Sequence, residues 1–379
     1  MKFFVDRDEF TDAVSWTARS LSPRTTVPVL GGLLIRAAED RTITLSGFDY
    51  ETSARTTITS NEDDYIAGLA LVNGRLLADI TRTLPKGHNV EVEIRDSKLH
   101  IGAGQANFNL ALMPVSEYPE LPSMPTLAGT VDGHEFSRAV SQVSIAASKD
   151  DTLPILTGVR MEIEGNTITL LATDRYRLAL RELKWEPSNS SISTAALVKA
   201  KTMSDVAKTL GTAGELQLAL SETHELIGFE SGNRRTTSVL VDGEYPKIRS
   251  LFPETTPVHA VVRKSDLLDA ARRVALVAER NTPVRLAFVQ GSVTLDAGTG
   301  EEAQATETIN GIHLEGEDIT VAFNPSYLSE GLSSFDSEFV RFSFTHPTKP
   351  VVVSAQDNPL DDDKKDYLYL LMPIRLQNQ

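Results

Sequence analysis

The chain has 379 residues, a formal net charge of −15 and 41% hydrophobic residues, enough for two or three domains of ordinary size. It has no cysteine, which excludes disulfides, thiolate nucleophiles and zinc ribbons, and its seven histidines show no metal-binding spacing. No apolar run approaches the roughly 18 residues of a membrane helix, and the opening Met1-Lys2-Phe3-Phe4-Val5-Asp6 lacks a secretory core, so a cytoplasmic location is expected.

Taken in chain order, Phe10, Ala13, Val14, Ala18 and Leu21 fall on one helical stripe. Pro28-Val29-Leu30 follows, and residues 71–84 read as a second helix through Leu76, Leu77, Ile80 and Leu84. Val90, Val92 and Ile94 then alternate with polar residues, Asp96-Ser97-Lys98 breaks the run, and Leu99 and Ile101 resume it, which predicts a hairpin. The same succession returns twice. Phe136, Ala139, Val140, Val143 and Ala147 repeat the first helix, Pro154-Ile155-Leu156 the Pro-aliphatic run, and residues 197–210 the second helix. In the third copy Asp266-Leu267 and Ala270-Ala271, Pro283-Val284-Arg285-Leu286, and residues 321–335 take those places, with Asn324-Pro325 as an N-cap and first helical residue. Glu117-Tyr118-Pro119 recurs as Glu244-Tyr245-Pro246.

Landmarks recurring at one offset predict three copies of an α+β domain, each with two helices packed on antiparallel sheet, at residues 1–122, 128–254 and 257–379. Proline-rich stretches at 119–125 and 253–257 read as linkers. Charge divides along the same lines. The six helical segments with their turns hold 15 Lys and Arg against 10 Asp and Glu, so the remainder of the acidic chain carries −20. That bias points to a basic surface built from helices.

On these residues the chain resembles the bacterial beta sliding clamp family. The resemblance rests on Met1-Lys2-Phe3, Arg24-Thr25-Thr26-Val27-Pro28-Val29-Leu30, Ala172-Thr173-Asp174-Arg175-Tyr176-Arg177-Leu178, Glu244-Tyr245-Pro246 and Leu371-Met372-Pro373-Ile374-Arg375-Leu376, and covers essentially the whole length. It implies a head-to-tail homodimer closing a ring around duplex DNA, with helices lining the hole, and tethering of the replicative polymerase without catalysis or cofactor. Geometry agrees. Helices packed about 8–10 Å apart give six of them a ring near 19 Å across at the axes, too tight once about 10 Å of helix thickness is removed. Twelve helices leave roughly 28 Å, so duplex fits only the dimer.

The resemblance places a pocket for short, partly apolar peptides of polymerases, clamp loader and repair proteins at Leu156, Thr173, Arg175, Tyr176, Arg177, Leu178, Pro246, Leu251, Pro350, Val351, Leu371, Met372, Pro373 and Ile374. It puts Arg24, Arg75, Arg82, Lys201 and Lys208 toward DNA, and Phe108, Leu110 and Leu276 at the dimer contact. Arg175-Tyr176 stands where many relatives have Gly-His, a bulkier and more basic rim. The acidic stretch 357–366 reads as a solvated loop. Two rivals are an enzyme built on Asp174-Arg175-Tyr176-Arg177, which has no nucleophile–base pair or phosphate loop beside it, and a repeat scaffold that binds peptides without encircling DNA.

Overall fold

A strand that runs directly into a helix opens each half of every repeat, and at Asp6, Asn73 and Asn324 the junction side chain caps the helix. Asp6 accepts hydrogen bonds from the Asp8 and Glu9 amides (2.8 and 2.9 Å), Asn73 from the Leu76 amide (3.0 Å), and Asn324 from the Ser326 amide (2.9 Å). The computed structural model describes residues 1–21, 26–211, 214–278, 282–298 and 303–375.

Repeat 1 consists of β1 (Lys2–Asp6), α1 (Arg7–Thr17), β2 (Gly32–Ala37), β3 (Thr42–Phe48), β4 (Thr52–Thr59), β5 (Gly68–Asn73), α2 (Gly74–Thr83), β6 (Asn89–Arg95), β7 (Lys98–Ala103) and β8 (Ala106–Ala111). Repeat 2 has β9 (Thr126–Asp132), α3 (Gly133–Ser144), β10 (Gly158–Glu164), β11 (Thr167–Thr173), β12 (Arg177–Lys184), the two-residue β13 (Glu186–Pro187), β14 (Ser193–Lys199), α4 (Ala200–Thr209), β15 (Glu215–Leu220), β16 (Leu226–Ser231) and β17 (Arg234–Val239). Repeat 3 has β18 (Val258–Arg263), α5 (Lys264–Val274), β19 (Val284–Val289), β20 (Ser292–Ala297), β21 (Ala305–Asn310), β22 (His313–Glu315), β23 (Ile319–Phe323), α6 (Pro325–Ser333), β24 (Phe339–Phe344), β25 (Val351–Gln356) and β26 (Lys364–Leu371).

The second helices start later than the apolar runs suggest. Residues 71–73, 197–199 and 321–323 finish strands that end their sheets, and Leu71-Val72, Leu197-Val198 and Val321-Ala322 are buried there, where continuous apolar sequence is compatible with either state. The predicted hairpin is β6–β7, and both turn residues, Asp96 and Ser97, have positive φ (47° and 63°). The Pro-aliphatic runs at Pro28–Gly31 and Pro154–Thr157 form single 3-10 turns.

The strands form four antiparallel sheets, ordered β1-β6-β7-β8, β13-β9-β15-β16-β17-β4-β3-β2-β5, β14-β10-β11-β12-β26-β25-β24-β18-β22 and β21-β20-β19-β23. Each nine-stranded sheet crosses a repeat boundary. Strand β4 of repeat 1 pairs with β17 of repeat 2, and β12 of repeat 2 with β26 of repeat 3. The described chain accordingly divides into two compact units that share the middle repeat: Met1–His134 with Glu186–Asn189 and Asp205–Leu240, and Glu135–Trp185 with Ser190–Ser204 and Val241–Gln379. Within the first unit, Phe3, Val5, Phe10, Val14, Leu33, Ile35, Leu77, Val90 and Val92 join one buried core, where the helical and strand periodicities meet. Phe3 and Phe10 touch edge to face at 6.3 Å.

Candidate partner-binding cleft and DNA-facing helices

Strands β11, β12, β26 and β25 lie side by side, and their register sorts the proposed pocket residues into two faces. Thr173, Leu178, Leu370 and Val352 form one row across the four strands. Leu178, Leu370 and Val352 belong to an apolar cluster with Leu171, Leu180, Leu197, Tyr245 and Ile248, against which Ile155, Val241, Phe252 and Leu368 pack. Around this floor stand Tyr176 (58% exposed), Leu251 (45%) and Met372 (37%), with Pro246 and Ile374 also exposed and Pro350 and Pro373 half-buried. Leu156 is buried within its 3-10 turn, and its neighbour Ile155 is the residue packed on the cluster.

The neighbouring row points the other way. Arg177, Leu371 and Val351 are direct cross-strand partners and occupy the face opposite the cleft, since successive strand residues alternate. All three are buried, which corrects their place among the pocket-lining residues. Arg177 is instead a strut against α6. It donates to Asp174 (3.0 Å), Glu330 (2.5 Å) and the Tyr369 hydroxyl (3.4 Å), and its guanidinium lies 4.3 Å from the Tyr327 ring centroid. Burial opposes its charge, but Tyr369, Glu330 and Asp174 outweigh that cost and raise its pKa. Gly331 lets α6 sit this close, because a Cβ there would lie 2.2 Å from the Tyr369 ring.

The rim is shaped by the Asp174 turn. Its carboxylate accepts from the Tyr176 and Arg177 amides (both 3.0 Å), and Thr173 Oγ1 accepts from the Arg175 amide (3.1 Å), which holds Arg175 at φ +78°. Tyr176 is thereby turned outward and stacks on Tyr327 at 6.3 Å. The Met372 amide donates to the Tyr176 carbonyl (2.9 Å), so the C-terminal segment continues along this rim. On the far wall, Gly243 (φ +131°) permits close approach to Ile155, whose Cδ1 would be 2.7 Å from an added Cβ. Tyr245 is buried beneath, with its phenol pKa pushed up chiefly by burial. Arg249 anchors the turn bearing Ile248 and Leu251 by donating to Glu162 (3.0 Å).

Of the cations placed toward DNA, Arg24 lies outside the described residues. Arg75 and Arg82 are exposed on α2, and Lys201 and Lys208 on α4. Arg82 pairs with Asp79 (2.8 Å), and Arg75 donates to the Leu21 carbonyl (3.3 Å). At the proposed dimer contact, β8 and β21 are edge strands and Leu276 is 85% exposed. Leu110 is not free to meet a partner, because it is buried in the core of its own repeat; Phe108, two residues earlier on the same face, packs against that core and stays partly exposed. Among the described residues, no helix is long and apolar enough to cross a membrane.

Three family models match the chain in succession: the DNA polymerase III beta subunit N-terminal domain at residues 1–122, its central domain at 130–247 and its C-terminal domain at 249–375. The chain belongs to the beta sliding clamp family. It is 59% identical over 309 residues to the beta sliding clamp of Micrococcus luteus, covering 82% of this chain and 98% of that one. It is 49% identical over 381 residues to that of Streptomyces coelicolor, covering 99% and 100%. The sliding clamp from Pseudomonas aeruginosa bound to griselimycin superposes with a TM-score of 0.92 at 26% identity (99% and 100% covered), and that of Bacillus subtilis with 0.91 at 28% (100% of both). The chain is therefore a sliding clamp, a non-catalytic processivity subunit of DNA polymerase III, and the DNA-independent scaffold reading is not supported.

Proposed function

We propose that three surfaces divide the clamp's work in the cytoplasm. The β11/β12/β26 cleft takes short, partly apolar peptides from the replicative polymerase, the clamp loader and repair proteins. The exposed cations of α2 and α4 hold duplex DNA by its phosphates without reading sequence. The free edges of β8 and β21 join two copies head to tail, closing the ring.

The observation that carries this reading is a register shared by the two internal junctions. Counted from their own hairpins, Ala54, Ala179 and Ala305 are equivalent, as are Thr56, Arg181 and Glu307, whose cross-strand partners are Leu45, Leu170 and Leu295. At the first junction Ala54 faces Thr236 and Thr56 faces Arg234. At the second, Ala179 faces Tyr369 and Arg181 faces Tyr367. The remaining strands of the same kind, β21 and β8, end their sheets unpaired among the described residues. The same register between two chains places Ala305 opposite Phe108 and Glu307 opposite Ala106, and would satisfy the backbone groups of both edges.

The test uses the absence of native cysteine. A chain carrying Ala106→Cys and Glu307→Cys should form a covalent dimer under mild oxidation, whereas Ala106→Cys with Ala305→Cys should cross-link far less. Equal cross-linking of both pairs, or of neither, would contradict this closure.

A further inference from the structure

We infer that repeat 1 carries a second peptide-docking cleft, equivalent in position to that of repeat 2 but selective for a basic peptide with a single aromatic or aliphatic anchor. The inference takes its ligand class from the peptide reading of the repeat-2 cleft and its selectivity from the charges around repeat 1.

The equivalence is detailed. Val29, Leu30 and Leu71 form a separate buried cluster on which Leu34, Met113, Val115 and Tyr118 pack. Val29 holds the place of Ile155, Leu71 of Leu197 and Tyr118 of Tyr245. Asp49 caps its turn as Asp174 does, accepting from the Glu51 (3.1 Å) and Thr52 (2.7 Å) amides. That turn puts Tyr50 at φ +72°, matching Arg175 at +78°. The Val239 amide donates to the Glu51 carbonyl (2.8 Å), the same bond that Met372 makes to Tyr176. Burial pushes the Tyr118 phenol up to about 12, as it raises that of Tyr245. The apolar rim is open, with Tyr50 56% and Val239 44% exposed. Phe48 backs Tyr50 edge to face at 5.7 Å.

Two differences set what this cleft can hold. First, its floor is shorter. Where repeat 2 has Leu178 and Leu370, repeat 1 has Ser53 and Thr237, whose hydroxyls bond at 2.6 Å. Where repeat 2 has Val352, repeat 1 has Gly228, and Met124 fills the space, its Sδ 2.6 Å from where a Cβ would lie. A single anchor would cover the cluster beside Met113 and Tyr118, with the exposed Tyr50 on the rim. Second, the rim charge reverses. Repeat 2 presents Arg175, Tyr176, Glu244 and Lys247 at four aligned exposed positions, and repeat 1 presents Tyr50, Glu51, Glu117 and Glu120. One net positive charge becomes three negative ones, which favours Lys and Arg flanking the anchor and opposes acidic segments.

The test measures anisotropy of fluorescein-labelled Arg-Lys-Gly-Phe-Lys-Arg on the clamp carrying Met372→Asp and Pro373→Asp, so that the repeat-2 cleft is blocked. The same peptide with Phe replaced by Ala controls for attraction to an acidic protein. The Phe peptide should bind saturably and at least about tenfold more tightly than the Ala peptide. Tyr50→Gly, which suits the positive φ, should remove that advantage, and Glu51→Lys with Glu120→Lys should transfer preference to Glu-Asp-Gly-Phe-Glu-Asp. Equal binding of the Phe and Ala peptides, an advantage that survives Tyr50→Gly, or no binding overturns the inference. The repeat-2 reading fails separately, if a neutral Ser-Leu-Ser-Leu-Phe peptide binds unmodified and Met372→Asp/Pro373→Asp protein equally.

Discussion

Truncating the exposed walls of the repeat-2 cleft should weaken peptide binding without weakening the fold, and the size of the effect follows from exposure. Burying a whole Leu or Met side chain contributes about 1.5–3 kcal/mol. Leu251 is 45% and Met372 37% exposed, so less than half of each remains for a ligand to cover. Leu251→Ala with Met372→Ala should therefore cost about 1–2 kcal/mol of binding, a roughly 5- to 30-fold rise in Kd. Titration of labelled Ser-Leu-Ser-Leu-Phe by anisotropy reads this directly, with urea denaturation alongside. Leu178→Ala is the contrasting case, because Leu178 is already buried and its loss should instead cost about 2–5 kcal/mol of folding stability. A Kd unchanged within about twofold in the Leu251/Met372 variant would refute the placement of the peptide.

Removing the Arg177 guanidinium with Arg177→Met should destabilise the fold by about 3–5 kcal/mol in denaturant titration, because Asp174, whose side chain is only 11% exposed, is left without its cation. Glu162 should confer pH-dependent stability. Burial alone raises its pKa, but hydrogen bonds from Arg160 and Arg249 hold it below the usual 4.5. Its contribution is thus present above the unfolded value and lost as pH falls through the folded one, so the gap between native protein and Glu162→Gln should close in acid. Met372→Asp with Pro373→Asp should abolish polymerase stimulation while sedimentation still reports a dimer.

Much of the fold was legible because two independent signals coincided, repetition and periodicity. Asn324-Pro325 marked a helix start, and Asp96-Ser97 a hairpin turn, through local chemistry alone. The second-helix starts of repeats 1 and 2 were missed because buried strand and buried helix read alike over three or four apolar residues. The cleft was legible in part. Met372, Tyr176 and Leu251 lie at its rim, but Arg177, Val351 and Leu371 belong to the opposite face. A one-residue parity error moves a side chain through the sheet, and parity is fixed by strand pairing between distant segments. Leu370 and Val352 were missed for the same reason, whereas Tyr245 lies outside any strand and was marked only as part of the repeated Glu-Tyr-Pro motif. Leu110 shows that a residue of an edge strand can be buried in its own core while the strand's backbone edge stays unpaired among the described residues.

The most direct measurement of encirclement joins both edges covalently. A dimer cross-linked through Ala106→Cys and Glu307→Cys after loading should stay on circular DNA through high-salt gel filtration and elute free once that DNA is cut. Equal retention on cut and uncut DNA, or equal loss from both, would contradict a closed ring that holds DNA by topology.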